Sequence, residues 1–459
     1  MKDLTEGPVG RHIVQLATFI ALSTVFQTLY FLADLYFVGR LGKEAIAGVG
    51  LSGNLMLLVL ALTQSLGVGT TSLIAQAIGR KDKERAELVF NQSLLLSIVT
   101  GLGFGACFFA LRGAYSGWLA ADPTTAALGA QYLDWFIPAL FLQFPLVAMG
   151  AALRGLGDIK VPTLIQVATV ILNIVLAPVL IFGWGTGHPL GVSGAALASF
   201  VAVALGCLAF TAYFYGGAAH LRLRTADWGP RPRLWGEMLK VGLPAGGEFA
   251  LISVYLVLVY DIIRPFGAAA QAGFGIGSRV MQALFLPAVA IAFAAAPVAG
   301  QNYGARQGER VRQTFYSAAA MSAVIMLALT ALCHVAPAGL VRFFNRDAAV
   351  IDFGSEYLRI ISWNFLASGV VFVSSSVFQG MGNTLPALGS SSLRLILFAL
   401  PAYALSQQPG FQVRQLWYLS VASVTAQLCV NLWLLHREFG RKLSFAPGPG
   451  PLVAERGEA

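Results

Sequence analysis

The chain has 459 residues, of which 57% are hydrophobic and only 11% charged, with a net charge of +9. Ordinary soluble domains carry about 25% charged residues, so a water-facing fold of this size is excluded and most of the surface must meet lipid. The basic excess does not point to nucleic acid, because the Lys and Arg residues are scattered through short loops rather than gathered on one module. Apolar stretches near the membrane-spanning length recur at about 12–38, 51–78, 88–111, 126–150, 161–183, 191–215, 238–264, 276–302, 314–336, 356–379, 384–405 and 414–436. The expected fold class is therefore an all-α membrane protein with twelve transmembrane helices. The N-terminal stretch MKDLTEGPVGRH mixes acids with bases and shows no small-residue cleavage site, so the first apolar run is expected to be a retained span and not a signal peptide.

The longest polar interruption, 216–237, holds Arg222, Arg224, Arg231 and Arg233 with Pro230 and Pro232 among them. It divides the chain into an N-terminal six-helix lobe (1–215), a cytoplasmic linker (216–237) and a C-terminal six-helix lobe (238–459). Orientation follows from Lys and Arg. With both termini inside, the inside segments hold 20 of the 30 basic residues, from Lys2 and Arg11 to Arg456. The outside loops hold Arg40, Lys43, Arg112, Arg264, Arg279, Arg342, Arg346 and Arg414.

The halves repeat. A gapless shift of 225 residues lays GKEAIAGVG (42–50) on GAAAQAGFG (267–275). It also pairs Gln76 with Gln301, Gly79 with Gly304, Arg85 with Arg310, Tyr132 with Tyr357, Gly155 with Gly380 and Gly157 with Gly382. Six spans per half is an even number, so the repeats run parallel about an axis along the membrane normal. Two pseudo-symmetric bundles of this kind can rock about a central cleft, as alternating access requires.

Ionisable residues within spans are functional candidates. Asp34 lies about five residues from the outer end of the first helix, roughly 8 Å deep. Ser23, Gln27, Tyr30 and Asp34 make one polar stripe at helical spacing. An Asp there costs about 2.5–3.5 kcal/mol on insertion scales. A carboxylate that is protonated in one state and ionised in another is what proton coupling needs. Glu248 follows GLPAGG on the seventh span and shares a face with Tyr255; Arg394, mid-span in the eleventh, needs a partner, for which Glu248 is the candidate. Asp261 and Arg264 read as a local interfacial pair, while Asp134 and Arg359 are expected to snorkel outward. Asn173 sits mid-span near Pro178, whose missing N–H frees a carbonyl for a polar partner. Tyr30, Phe31, Trp135, Phe141, Tyr255 and Trp363 are candidate cleft aromatics. Cys107, Cys207, Cys333 and Cys429 sit singly in apolar segments, without metal or redox spacing. No phosphate loop, HExxH or GxSxG motif is present, which argues against ATP-driven transport and hydrolysis, and the five histidines are dispersed.

LTEGPVGRHIVQLA, then LYFLADLYFVGRLGKEAIAGVG, then the Gln-x-x-Gly at 76–79 and 301–304, together resemble the multidrug and toxic-compound extrusion (MATE) family along essentially the whole chain. The bacterial DNA-damage-inducible branch fits best. The resemblance implies a twelve-helix secondary antiporter, with no enzymatic activity, catalytic residue, metal or cofactor. It would export amphipathic, cationic organic compounds from the cell (inner) membrane as a monomer among lipids, against an inward flow of protons or sodium, of which protons are the expected coupling ion. Asp34 falls on the family's first-helix aspartate. The branch's fifth-helix pattern keeps Asn173 and Pro178 but has Ala177 in place of the acid, and the sixth-helix pattern ends in Ala198–Ser199. Coupling is thus expected at Asp34, Asn173 and Glu248, and the substrate cavity at Gln27, Tyr30, Tyr255, Arg394 and Ser199. A lipid-linked oligosaccharide flippase of the same superfamily is the alternative, disfavoured because only Arg279 and Arg394 are placed to meet a pyrophosphate.

Overall fold

A computed structural model describes residues 3–120, 122–185, 187–217 and 220–445; Lys2 and Arg456, counted above among the inside charges, lie outside them. Fifteen α-helices occur among the described residues: α1 (Val9–Gly39), α2 (Lys43–Gly50), α3 (Ser52–Gly79), α4 (Lys83–Leu119), α5 (Pro123–Gly155), α6 (Lys160–Phe182), α7 (Gly191–Tyr215), α8 (Pro232–Ile263), α9 (Ala268–Gly304), α10 (Gly308–Val335), α11 (Pro337–Arg342), α12 (Ala348–Ile361), α13 (Asn364–Gly380), α14 (Leu385–Ser406) and α15 (Val413–Lys442). Eleven are long and apolar enough to cross a membrane, or twelve if the bent pair α12–α13 is one span. Helices satisfy every backbone polar group internally, which lipid demands.

The tenth span, expected as one helix over 356–379, is instead broken at Ser362–Trp363 and bent by 54°. No proline stands at the break. The Ser362 carbonyl takes a tightened backbone bond from Phe365 N at 3.0 Å and a second from Thr330 Oγ1 of α10 at 2.9 Å, and the His334 ring packs on Trp363 at 5.1 Å. A side chain inserted into the helical ladder is a recognised cause of a kink. By contrast α6 runs through Pro178 as a continuous helix.

The interruption between the halves is shorter than expected, because α8 already begins at Pro232, a proline at the first helical turn. It is also tied down. Asn91 Nδ2 of α4 donates to the Arg222 carbonyl at 2.9 Å and Asn91 Oδ1 accepts from Arg224 N at 3.0 Å. Gln92 donates to the Gly229 carbonyl and accepts from Arg231 N and Trp235 Nε1. Arg224 reaches the buried Glu87 at 3.0 Å.

Both described ends of the chain lie at the same end of the bundle. Leu4 N donates to Gln301 Oε1 at 3.0 Å, and the ring of Phe445 packs on Tyr303. At this terminal end the halves are sealed together. Ser72 Oγ donates to the Gln379 carbonyl at 2.6 Å, Arg85 meets Glu237 at 2.5 Å, and Arg310 donates to the carbonyls of Leu4 and Gly7. The helix ends here come in repeat-related pairs. α3 and α9 both close with a non-glycine residue in the left-handed region, Lys81 (φ 60°) and Arg306 (φ 59°), while α5 and α13 close with Gly157 and Gly382. In each case the following N–H reaches back five residues, from Asp82 to Ala77, Gln307 to Asn302, Asp158 to Leu153 and Asn383 to Phe378, capping carbonyls the helix leaves unpaired.

Helix α1 has two different neighbourhoods. Its first turns, Val9, Ile13, Leu16 and Ile20, are buried in one cluster with α9 residues such as Ala292 and Ala295. Val38, near its far end, packs instead with first-half residues.

Candidate functional site

The polar stripe on α1 faces α6 and α7. Ser23 Oγ donates to Gln166 Oε1 at 2.5 Å, and Gln166 Nε2 reaches Gln27 Oε1 at 3.5 Å, a weak contact. Tyr30 OH bonds Ser199 Oγ at 2.8 Å. Ser199 also receives Asn173 Nδ2 at 3.2 Å. One hydroxyl on α7 thus gathers a phenol from α1 and an amide from α6. Asn173 does not turn to a carbonyl freed by Pro178; its amide goes to Ser199.

Asp34 stands one turn beyond Tyr30, within electrostatic reach of both Tyr30 and Tyr132. Its Oδ1 is buried and has no hydrogen-bond partner, and the same holds for Asn173 Oδ1. Unsatisfied buried acceptors are uncommon and need a reason. Ala177, one turn past Asn173, is 1% exposed and packs in an apolar cluster with Ile181 and Val192, so methyl packing fills the place where the resemblance implies an acid.

Glu248 and Arg394 lie in the other half and do not pair. Glu248 Oε1 accepts from Ser375 Oγ at 3.5 Å. Among the described residues Arg394 makes no hydrogen bond or ion pair, and its guanidinium carbon sits 5.3 Å over the Tyr255 ring. The distance along α8 explains the failure: Glu248 and Tyr255 are seven residues apart, about 10 Å of helix. Tyr255 OH bonds Ser420 Oγ at 3.0 Å, and Ser420 also receives Asn364 Nδ2 at 3.2 Å. The expected Asp261–Arg264 pair is likewise not formed among the described residues; Asp261 is exposed beside Ser253 and Val257. Asp134 is paired with Arg112 at 2.5 Å rather than snorkelling alone. Of the candidate aromatics, Phe31, Trp135 and Trp363 are exposed, while Tyr30 and Tyr255 point into the clusters just described.

Gln166, Tyr132, Tyr357, Asn364 and Ser420 were missing from the sequence-based site. Gln166 had a readable signal, since it lies seven residues before Asn173 and so shares its helix face. The two tyrosines stood out only as repeat landmarks. Among the described residues no three His, Cys, Asp or Glu side chains gather as a metal site would require.

The MatE family model matches residues 20–179 and 244–404. A probable multidrug resistance protein of Bacillus subtilis, YpnP, is 27% identical over 407 residues, 87% of this chain and 88% of that one. An FAD transporter of Shewanella oneidensis is 25% identical over 416 residues, 88% of this chain and 90% of that one. Among solved structures, a MOP superfamily transporter from Pyrococcus furiosus, whose reversed binding-pocket polarity is taken to suggest a different function, is 27% identical. It superposes with a TM-score of 0.87 over 97% of this chain and 98% of its own. With two family matches, one in each half, around two clusters of intramembrane polar side chains, the chain belongs to the MATE family of membrane-embedded secondary transporters and is not an enzyme.

Proposed function

We propose that the protein exports amphipathic, cationic organic compounds, multidrug-style, in exchange for protons entering through Asp34. One observation carries this reading: a carboxylate on α1 whose Oδ1 is buried without a hydrogen-bond partner, beside a bridged Tyr30–Ser199–Asn173 cluster. A proton is a partner of the right size for that oxygen, and its arrival removes the charge that makes burial unfavourable. Glu248 of α8 is the next candidate carboxylate, and its hydroxyl partner is weakly held. Residues 1–215 and 238–459 act as the two lobes, joined by the 216–237 linker, in a monomer of the bacterial inner membrane and of the DNA-damage-inducible branch. Both termini face the cytoplasm, which makes the sealed terminal end the cytoplasmic gate and the present arrangement outward-facing.

The test is efflux from inverted vesicles with proton and sodium gradients imposed separately, on the wild type and Asp34→Asn. Asn keeps the shape of Asp and removes its titration. Export driven by the proton gradient alone and abolished in Asp34→Asn, with helical content unchanged, is expected. Sodium-driven export, or normal pumping by Asp34→Asn, overturns the reading.

A further inference from the structure

The two halves carry matching cages around opposite charges. In the first, Tyr30 and Tyr132 flank Asp34, and Tyr30 is bridged through Ser199 to Asn173. In the second, Tyr255 and Tyr357 flank Arg394, and Tyr255 is bridged through Ser420 to Asn364. Tyr30 and Tyr255 are related by the 225-residue repeat, as are Tyr132 and Tyr357. The serine comes from the last span of each half. The asparagine comes from different helices, α6 and α13, yet makes the same bond and in both cases leaves its Oδ1 buried without a partner. Where the first cage holds a carboxylate with an unpartnered Oδ1, the second holds a guanidinium with an unpartnered, buried Nε.

A guanidinium inside a membrane span has a reason to be there: it is expensive unless paired, and it presents a planar fork matched to carboxylate or phosphate oxygens. The ring of Tyr255 supports one face of Arg394 and holds the fork in place without satisfying any N–H. Of the α8 acids on either side of Tyr255, Glu248 makes a long 3.5 Å contact with Ser375 and Asp261 is exposed, and neither pairs with Arg394 among the described residues.

We propose that Arg394 is an anion-binding subsite, and that the preferred substrates are zwitterionic amphiphiles bearing a carboxylate or phosphate alongside their cationic group. This rests on the export reading above and narrows its substrate class. The anionic group of the substrate would complete the Arg394 fork in the second half.

Binding of two fluorescent probes to the purified full-length protein tests this at equilibrium, with no ion gradient. Rhodamine B is a zwitterion with a free carboxylate; its ethyl ester keeps the cation and lacks the carboxylate. The wild type should bind the acid about tenfold more tightly than the ester, the value of a well-placed charge-assisted contact. Arg394→Gln should abolish that preference by weakening the acid, while the cationic ester, relieved of a like charge, binds at least as tightly as before. Arg394→Lys, which keeps the charge and loses the fork, should retain only part of it and guards against a folding defect in the Gln variant. Equal affinity of the wild type for both probes, binding of neither, or a preference that survives in both variants overturns the subsite. An Arg394→Gln defect rescued by adding Glu248→Gln would also overturn it, showing instead an internal charge pair. Failure of the export reading looks different: normal pumping by Asp34→Asn leaves the acid–ester preference untouched.

Discussion

Gln76 and Gln301 each donate a side-chain hydrogen bond to a glycine carbonyl in the opposite half, to Gly380 at 2.9 Å and to Gly155 at 3.1 Å. The donors are related by the 225-residue repeat, and so are the acceptors. The glycines at the helix ends swap partners in the same way. A Cβ added at Gly79 would lie 2.0 Å from the Gln301 carbonyl oxygen, and one at Gly304 would lie 2.2 Å from that of Gln76. The seal is thus a reciprocal latch, in which each half gives the other one glutamine donor and one glycine acceptor.

Losing both glutamine bonds should loosen the latch by about 1–3 kcal/mol, at about 0.5–1.5 kcal/mol each. That shifts the open–closed balance roughly 5–150-fold. In a background free of the native cysteines, Ser72→Cys reports on the seal because Ser72 is 3% exposed. Its labelling by an impermeant thiol reagent from the cytoplasmic side should accelerate in Gln76→Ala/Gln301→Ala. An unchanged rate would show that the glutamines do not hold the gate.

Gly79→Ala and Gly304→Ala should each force the halves apart, since the obstructing atoms are backbone rather than a flexible side chain. Spin labels at Asp82→Cys and Gln307→Cys, on the turns just beyond the two glycines, should show a longer and broader distance distribution in either variant. The same two cysteines test the parallel repeat: both should label from the cytoplasmic face, and opposite accessibility would make the repeat inverted.

Ser199→Ala removes the hydroxyl shared by Tyr30 and Asn173 and leaves the Asn173 side chain with neither end satisfied. Stability should fall by about 1–3 kcal/mol, the cost of orphaning a buried polar group, read as a lower midpoint in detergent unfolding. Ser199→Thr, which keeps the hydroxyl, should recover most of it. An equal loss in both variants would assign the effect to packing and not to the bridge.

On the proposed coupling through Asp34, the absence of an acid at Ala177 means that one charge should move per substrate there. Each charge is worth about 2.3 kcal/mol per 100 mV. Exchange of one proton for a monovalent cation is electroneutral, and its rate should follow the pH gradient while ignoring a potassium–valinomycin voltage clamp. Strong voltage dependence would bring Glu248 into the coupling beside Asp34.

Charge scarcity and the length of the apolar runs were enough to read an all-helical membrane protein from the sequence, because lipid tolerates few other solutions. The repeat was equally legible, since polar and glycine landmarks in one register do not arise from apolar composition. So was the stripe from Ser23 to Asp34, whose spacing is a property of one helix. Partnership across helices was not legible. That Ser199 would join Tyr30 to Asn173, that Ser420 would do the same for Tyr255 and Asn364, and that Arg394 would rest on Tyr255 and not on Glu248 all depend on how helices far apart in sequence are rotated against each other. The break at Ser362 belongs to the same class: no proline announces it, and the Ser362 carbonyl is held by Phe365 N and by the Thr330 hydroxyl of a neighbouring helix.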